Sequence, residues 1–193
     1  MGKLGLFGLT VMALLLLTPI TYAKASEPEP PTNSRWRFGV EASVGTPVIN
    51  TRKMTSTGFG LCMFAENKTE GFGLSVDYVS LGKKKWEQMA LPREITTSID
   101  IVNAQFYLIR SFNSGIYCLS GMGLGSGNIT SNSSSDSHSF ALMLSFGLGY
   151  SFNRNFGIVA KCTGTGGKLH RFDKDLLQGE ALYYLNLGIQ YRF

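Results

Sequence analysis

Apolar and polar residues alternate along the chain from residue 35 to Phe193, in segments of roughly ten residues separated by polar stretches. The last segment, 181–193, is the clearest: its odd positions are Ala, Tyr, Leu, Leu, Ile, Tyr and Phe, and its even positions are Leu, Tyr, Asn, Gly, Gln and Arg. Because successive strand residues point to opposite faces, the pattern predicts a strand with one apolar and one polar or small face. Seven further segments alternate in the same way: 35–45, 57–66, 71–81, 97–110, 116–125, 140–152 and 156–163. The start of 97–110 is ambiguous, because Ile99 and Ile101 fall off its apolar face.

The connections between these eight segments alternate in length. Short joins at 67–70, 111–115 and 153–155 predict tight turns, whereas the joins at 46–56, 82–96, 126–139 and 164–179 are long and polar. This rhythm predicts an all-β fold: an eight-stranded up-and-down antiparallel transmembrane β-barrel. Short turns and both chain ends would face the periplasm, and the long loops would face outside.

A soluble lipocalin-type barrel would alternate too, with its bulky apolar residues inside. Composition favours the membrane barrel, because charged residues are only 16% of the chain and many of its 23 glycines lie on the face opposite the apolar one. Such a face is a poor coat for a protein in water. Aromatic residues lie near both ends of the apolar face, as expected for the two interfaces of a membrane.

The first 25 residues have the layout of a secretory signal peptide: Lys3, an apolar stretch from Leu4 to Ile20, and small residues at Ala23 and Ala25 where cleavage could follow either. The alternative, an uncleaved membrane anchor, is disfavoured by Pro19 and by the cleavage patterns. Residues 26–34 are polar and proline-rich, which predicts a short periplasmic linker. The predicted domains are therefore a signal peptide (1–25), a linker (26–34) and an outer-membrane barrel (35–193).

The region from residue 35 to Phe193 resembles the small eight-stranded outer-membrane barrels of Gram-negative bacteria, the group of the OmpA membrane domain, OmpX and the opacity adhesins. The resemblance is carried by the ending Tyr191-Arg192-Phe193, the glycine-alternating strand Tyr117–Gly125 and the even rhythm of the loops. It implies export to the bacterial outer membrane and an assembly signal at Tyr191 and Phe193 that the barrel-assembly machinery reads. It does not choose among the functions that this fold hosts.

Charged residues at inward positions predict a polar network in the lumen. They are Arg37, Glu41, Glu66, Asp77, Lys161 and Arg192. Glu41, Asp77 and Lys161 each lie about six residues from a periplasmic end, so we expect them at one level, near Asn103, Gln105, Asn186 and Gln190. Eight strands enclose only enough space for side chains, which favours a structural plug. The alternative is a gate that opens a small pore when the ion pairs exchange partners.

Catalytic and cofactor chemistry is poorly represented. The two histidines, His138 and His170, fall in predicted loops, whereas a lipid-modifying hydrolase of this shape would need a histidine and a serine fixed on its strands. We therefore expect no enzyme activity, no cofactor and no metal site. The cysteines at 62, 118 and 162 lie within strands and are expected to be free. A net charge of +5 is too modest to indicate a nucleic-acid partner.

The long loops carry the exposed chemistry. Basic residues in two of them could pair with lipopolysaccharide phosphates above the outer leaflet, or be simply solvated: Lys83, Lys84, Lys85, Lys168 and Arg171. Three hypotheses follow. The first is a non-enzymatic barrel with a structural or surface-interaction role, through outer-membrane lipid, lipopolysaccharide or a host ligand. The second is a narrow channel for small solutes, and the third, disfavoured one is a lipid-modifying enzyme.

Overall fold

The structure is a computed structural model, which describes residues 36–48, 55–67, 69–88, 91–112, 114–132, 137–165 and 182–193. These residues form a closed antiparallel barrel in which each strand pairs with the next and the last pairs with the first. The closing pair runs from Gly39 opposite Arg192 to Val48 opposite Tyr183. The strands are β1 (Trp36–Val48), β2 (Thr55–Asn67), β3 (Phe72–Gln88), β4 (Leu91–Ser111), β5 (Ile116–Ser131), β6 (Ser137–Ser151), β7 (Phe156–Thr165) and β8 (Tyr183–Arg192). The predicted eight-stranded up-and-down barrel is confirmed, while the predicted signal peptide and linker lie outside the described residues.

One end of the barrel holds Trp36, Phe193 and the connections β2–β3, β4–β5 and β6–β7; we call it the turn end, and the opposite end the loop end. Asparagine side chains order two of these turns. The Asn67 Oδ1 atom accepts hydrogen bonds from the backbone N–H groups of Thr69 and Glu70, and Asn153 Oδ1 does so from Asn155 and Phe156. Such bonds imitate a backbone turn, which explains why asparagine suits these positions.

The strands at the loop end are longer than predicted. β3 and β4 continue to Gln88 and from Leu91, so the predicted long loop 82–96 is wrong and most of it is a paired hairpin. The predicted loop 126–139 is likewise shortened by β5 and β6, which reach Ser131 and begin at Ser137. The polar composition of these segments led to the prediction of loops. A strand that extends beyond the bilayer can be polar on both faces, so its composition resembles that of a loop. Cross-strand partners such as Lys85 and Thr96 continue the ladder.

The exterior of the barrel is apolar. Outward positions such as Val44, Leu61, Met63 and Leu187 leave more than half of each side chain exposed, which is tolerable only against lipid. Aromatic rings collect at the turn end: Trp36 lies edge-on to Phe72, Phe72 stacks on Phe106, and Tyr191 contacts Phe156 and Phe193.

Towards the loop end, the apolar exterior gives way to polar outward residues. The Tyr78 hydroxyl donates to Asp100 Oδ1 over 3.1 Å, and the cross-strand neighbours of Asp100 are Ser80 and Asn128. This change marks the upper boundary of the apolar belt. Among the described residues, none forms a helix long and apolar enough to cross a bilayer.

Glycines on the inward face make room for aromatic rings. Three inward aromatic residues stand directly across from a glycine on the neighbouring strand, in the pairs Phe64–Gly39, Tyr107–Gly73 and Tyr117–Gly149. A Cβ atom added to any of these glycines would overlap the ring. The glycine-rich inner face is therefore a packing requirement of a narrow lumen, and each ring covers the bare backbone opposite it.

This pairing makes a specific prediction for Gly149→Ala. The added methyl should displace the Tyr117 ring and destabilise the barrel by about 1–3 kcal/mol. Because the methyl and the ring compete for one space, combining Gly149→Ala with Tyr117→Leu should cost less than the sum of the two single changes. Urea titration of the refolded proteins in liposomes measures both quantities, and strictly additive losses would contradict the contact.

Candidate functional site

The structure brings together the three side chains that the sequence predicts at one level of the lumen. Lys161 enters from β7, and its Nζ atom lies 2.9 Å from Asp77 Oδ1 and 3.0 Å from Glu41 Oε1. Ser75 donates a hydrogen bond of 2.9 Å to the other Asp77 oxygen, Oδ2. All four residues are buried. A buried charge is tolerated only when it is paired and hydrogen-bonded, and here one lysine on β7 holds two carboxylates, one from β1 and one from β3.

Gln190 extends this cluster towards the turn end. Its Nε2 atom donates to Glu41 Oε2 over 3.0 Å, while its Oε1 atom accepts from Arg192 Nη2 at 2.8 Å and from the Tyr117 hydroxyl at 2.6 Å. An amide can bridge an anion and a cation in this way because it carries both donors and acceptors. The lumen charges thus form one connected network.

Arg192 forms the cationic end of that network. Its guanidinium lies 3.4 Å from Glu66, donates to the Ser151 hydroxyl at 3.3 Å, and sits over the rings of Phe64 and Tyr117 at 5.9 and 5.2 Å. Arg37 is the cross-strand partner of Glu66 and is half-buried. The six predicted lumen charges therefore lie at two levels, mid-barrel and turn end, and Gln190 connects the two.

Between the mid-barrel charges and the loop end, the lumen is filled by a cluster of apolar side chains, the apolar plug, which was not predicted from the sequence. Its buried members are Val79, Leu81, Ile99, Ile101, Ile129, Ala141, Met143, Leu182 and Tyr184. Ile99 and Ile101, which seemed to fall off the apolar face of their strand, point inward and are 0% and 1% exposed. Their odd-numbered positions, which they share with the inward residues of β4, were the signal that they face the lumen. Alternation of apolar and polar residues could not reveal the plug, because the lumen itself changes from polar to apolar along its length.

A narrow cavity of about 20 Å³ lies in the lumen. Its lining extends from Glu66 and Phe64 past the mid-barrel pair of Glu41 and Lys161 to Tyr184. This volume suits a single water-sized occupant. Phe64, Tyr107 and Leu119, which belong to a buried apolar cluster on its turn side, also line the cavity.

The other predicted site residues that the structure describes lie on the outside of the barrel. Lys83, Lys84 and Lys85 are exposed on the extension of β3 at the loop end, whereas Lys168 and Arg171 lie outside the described residues. Tyr191 and Phe193 are exposed at the turn end with their rings edge to face at 5.2 Å. Their role in assembly stays a prediction.

The described cysteines are free: Cys62 and Cys118 are buried and Cys162 is exposed. Within the described ranges, no three His, Cys, Asp or Glu side chains are grouped closely enough to share a metal ion. His138, predicted to lie in a loop, lies instead in β6 opposite Asn128, whereas His170 lies outside those ranges.

A closed antiparallel barrel with an apolar exterior and a filled, partly charged lumen is a transmembrane β-barrel of the outer-membrane type. No protein-family model matches the sequence, and no curated protein is similar to it in sequence. Solved structures share the fold at low identity. A major outer membrane protein from Thermus thermophilus is 15% identical, with a TM-score of 0.60 over 83% of this chain and 100% of that one.

Two further solved structures are similar. Neisserial surface protein A is 15% identical, with a TM-score of 0.58 over 83% of this chain and 98% of the other. Ail, the attachment invasion locus protein of Yersinia pestis, in complex with the heparin analogue sucrose octasulfate, is 18% identical, with a TM-score of 0.55 over 82% and 97%. The fold is therefore that of the small outer-membrane barrels, in agreement with the resemblance seen in the sequence.

The mid-barrel geometry predicts the effect of removing its cation. Lys161→Met keeps most of the side-chain volume but leaves Glu41 and Asp77 without their shared partner, so it should destabilise the barrel by about 3–5 kcal/mol. Adding Glu41→Gln and Asp77→Asn removes the stranded charges and should recover much of the loss. Urea unfolding in liposomes measures the three proteins, and a triple variant no more stable than Lys161→Met would contradict the coupling.

Proposed function

We propose that this protein is a non-enzymatic barrel of the bacterial outer membrane, exported by its signal peptide, that acts through surfaces and not through its lumen. The observation that supports this proposal most directly is the filled lumen, with a charge network at mid-barrel and an apolar plug above it. A solute would have to break buried ion pairs and displace packed side chains to pass. The function then rests on the loop end and on the lipid-facing exterior.

The strongest exposed chemistry at the loop end is the basic segment Lys83–Lys84–Lys85. It follows Ser80, Leu81 and Gly82 on β3, and so continues the strand beyond the polar residues that mark the boundary of the apolar belt. The outer leaflet presents lipopolysaccharide phosphates at this height, and ammonium groups form charge-assisted hydrogen bonds with phosphates. The segment belongs to a paired hairpin, which holds the amines on a strand and not on a free loop.

The same chemistry would bind a sulfated or otherwise polyanionic glycan at a cell surface. A structurally similar barrel, Ail, was solved with the heparin analogue sucrose octasulfate. This supports an anion-binding loop end by analogy of fold. Lipopolysaccharide contact is the more direct proposal for this chain, because the lysines adjoin the membrane boundary.

Replacing the three lysines should test the lipid contact. Each lysine near an anionic surface contributes about 1 kcal/mol, so Lys83→Gln, Lys84→Gln and Lys85→Gln together should weaken lipopolysaccharide binding up to roughly 100-fold. The triple arginine variant keeps the charge and serves as the matched control. Binding of lipopolysaccharide micelles to the protein in nanodiscs, measured across a salt series, gives the affinities. Unchanged affinity in the glutamine variant would contradict the contact.

A narrow channel is the second candidate, favoured by the continuous polar network from Arg192 through Gln190 to Asp77. The apolar plug opposes it. We expect planar bilayers containing the refolded protein to stay electrically silent, and a variant with Leu81→Ala, Ile99→Ala and Met143→Ala to show discrete openings. Steady unitary conductance from the unaltered protein would instead favour the channel.

A separate experiment tests the third hypothesis, a lipid-modifying enzyme. Mass spectrometry of lipid A from cells with and without the protein should show identical species if the protein is not an enzyme. A mass difference that depends on the protein would contradict the proposal.

A further inference from the structure

One acidic side chain faces the membrane. Of the strand carboxylates whose side chains the structure describes, only Asp100 points away from the lumen. It lies on β4 between Ile99 and Ile101, which are buried inward, and shares the outer face with Val102, which is 49% exposed. Asp100 itself is half-buried. A charge on a lipid-facing surface is disfavoured unless it has polar partners, and such residues are commonly functional.

The carboxylate of Asp100 is oriented by an aromatic pair on the same outer surface. The Tyr78 hydroxyl donates to Asp100 Oδ1 over 3.1 Å, and the Tyr78 ring packs against Phe59 with the ring centroids 5.8 Å apart. Among the described residues, none donates a hydrogen bond to the second oxygen, Asp100 Oδ2. An ionised carboxylate accepts several hydrogen bonds, so this oxygen is available to a donor that comes from the membrane.

An exposed lysine lies on the same surface, nearer the loop end. Lys85 is the cross-strand partner of Thr96, which is four residues from Asp100 along β4. Cross-strand partners share a face, as do residues four apart on one strand, so Lys85 and Asp100 both face outward. Four residues span about 13 Å along a strand, or about 10 Å in height at the tilt of such a barrel. A lipid beside these strands therefore meets a cation above and a fixed acceptor below.

This order of cation and acceptor distinguishes between lipid headgroups. In phosphatidylethanolamine the ammonium group is attached beyond the phosphate, so its donors do not lie deeper in the membrane than its anion. In lipopolysaccharide, amide N–H and hydroxyl groups lie where the acyl chains join the phosphorylated sugars, beneath the phosphates. A cation with an acceptor below it is complementary to the second arrangement, and a hydrogen bond to a carboxylate is stronger than one between neutral groups.

We propose that Asp100 Oδ2 accepts a hydrogen bond from an amide N–H or hydroxyl group of a lipopolysaccharide molecule whose phosphate is bound by Lys85. Tyr78 positions the carboxylate for this contact. The inference rests on the lipid contact proposed above and adds to it a residue that selects a glycolipid over a phospholipid. An anionic side chain then contributes to binding an anionic lipid, because it recognises the donors of that lipid and not its charge.

The sign of the effect of Asp100→Asn tests the proposal. Removing a negative charge beside an anionic lipid should strengthen binding about fivefold if charge alone matters. Loss of the charge-assisted hydrogen bond should instead weaken binding about tenfold. The full chain is refolded in phosphatidylcholine vesicles that contain spin-labelled lipopolysaccharide, and electron spin resonance measures the fraction of that lipid held at the protein surface. Unchanged or strengthened association in Asp100→Asn would overturn the proposal.

Two further variants serve as control and as second test. Glu70→Gln makes the same change in net charge in the exposed turn between β2 and β3, at the other end of the barrel, and should leave the association unchanged. Tyr78→Phe keeps the carboxylate but removes its orienting hydroxyl, so it should weaken association in the unaltered protein and have no further effect in Asp100→Asn. It also provides the test if Asp100→Asn does not fold.

The same measurement on the glutamine variant of Lys83, Lys84 and Lys85 separates this inference from the lysine contact. If that variant loses lipopolysaccharide and Asp100→Asn does not, the lysine contact stands and the role of Asp100 is overturned. The reverse result supports Asp100 and removes the lysine contact. Spin-labelled phosphatidylethanolamine should associate equally with the unaltered protein and with Asp100→Asn. A parallel loss of this phospholipid would indicate a general change of the outer surface and overturn the proposed selectivity.

Discussion

The structure depends on one constraint: within a bilayer, no water is available to a backbone N–H or C=O group. Each strand must therefore pair with a neighbour on both sides, and the pairing of β1 with β8 closes the sheet into a barrel. A barrel closed in this way has an outer surface that faces hydrocarbon, and its number of strands fixes the width of its lumen. The interior packing, the glycine positions and the isolation of the buried charges are all consequences of closing the ladder with eight strands.

Different kinds of side chain fill the lumen at different levels. At the turn end, rings cover glycines and a guanidinium lies between two of those rings. At mid-barrel, ion pairs and amides occupy the space, and nearer the loop end aliphatic side chains do. The polar layer is the costly one, since buried charges of this kind add less stability than apolar packing of equal volume. Its retention is consistent with a demand for one specific register of the strands.

Much of this architecture could be predicted from the sequence, because a period of two is a strong signal when one face meets lipid. The inward positions of Glu41, Asp77 and Lys161 followed from parity alone, and the structure places them within ion-pair distance. The alternation was misleading where the inside of the barrel is not polar or the outside does not meet lipid. Ile99 and Ile101 face an apolar lumen, so hydrophobicity no longer distinguishes inside from outside. Lys83 to Lys85 belong to the part of β3 that extends beyond the bilayer. Contacts such as Gln190 with Tyr117 depend on the stagger of the closed barrel, which no single segment encodes.

The distribution of lumen charges along the chain bears on assembly. The inward carboxylates of Glu41, Glu66 and Asp77 come from β1, β2 and β3, whereas the cations that hold them, Lys161 and Arg192, come from β7 and β8. Arg37 on β1 offsets one of these carboxylates, so before closure the inward charges of β1 to β3 (three carboxylates and one arginine) are net negative and those of β7 and β8 are positive. Attraction between these opposite charges favours the approach of the two free edges, and the ion pairs across the lumen are complete only in the closed barrel. A nascent barrel that stalls before its final strand docks would expose unpaired carboxylates, a state that quality control could distinguish from the finished protein.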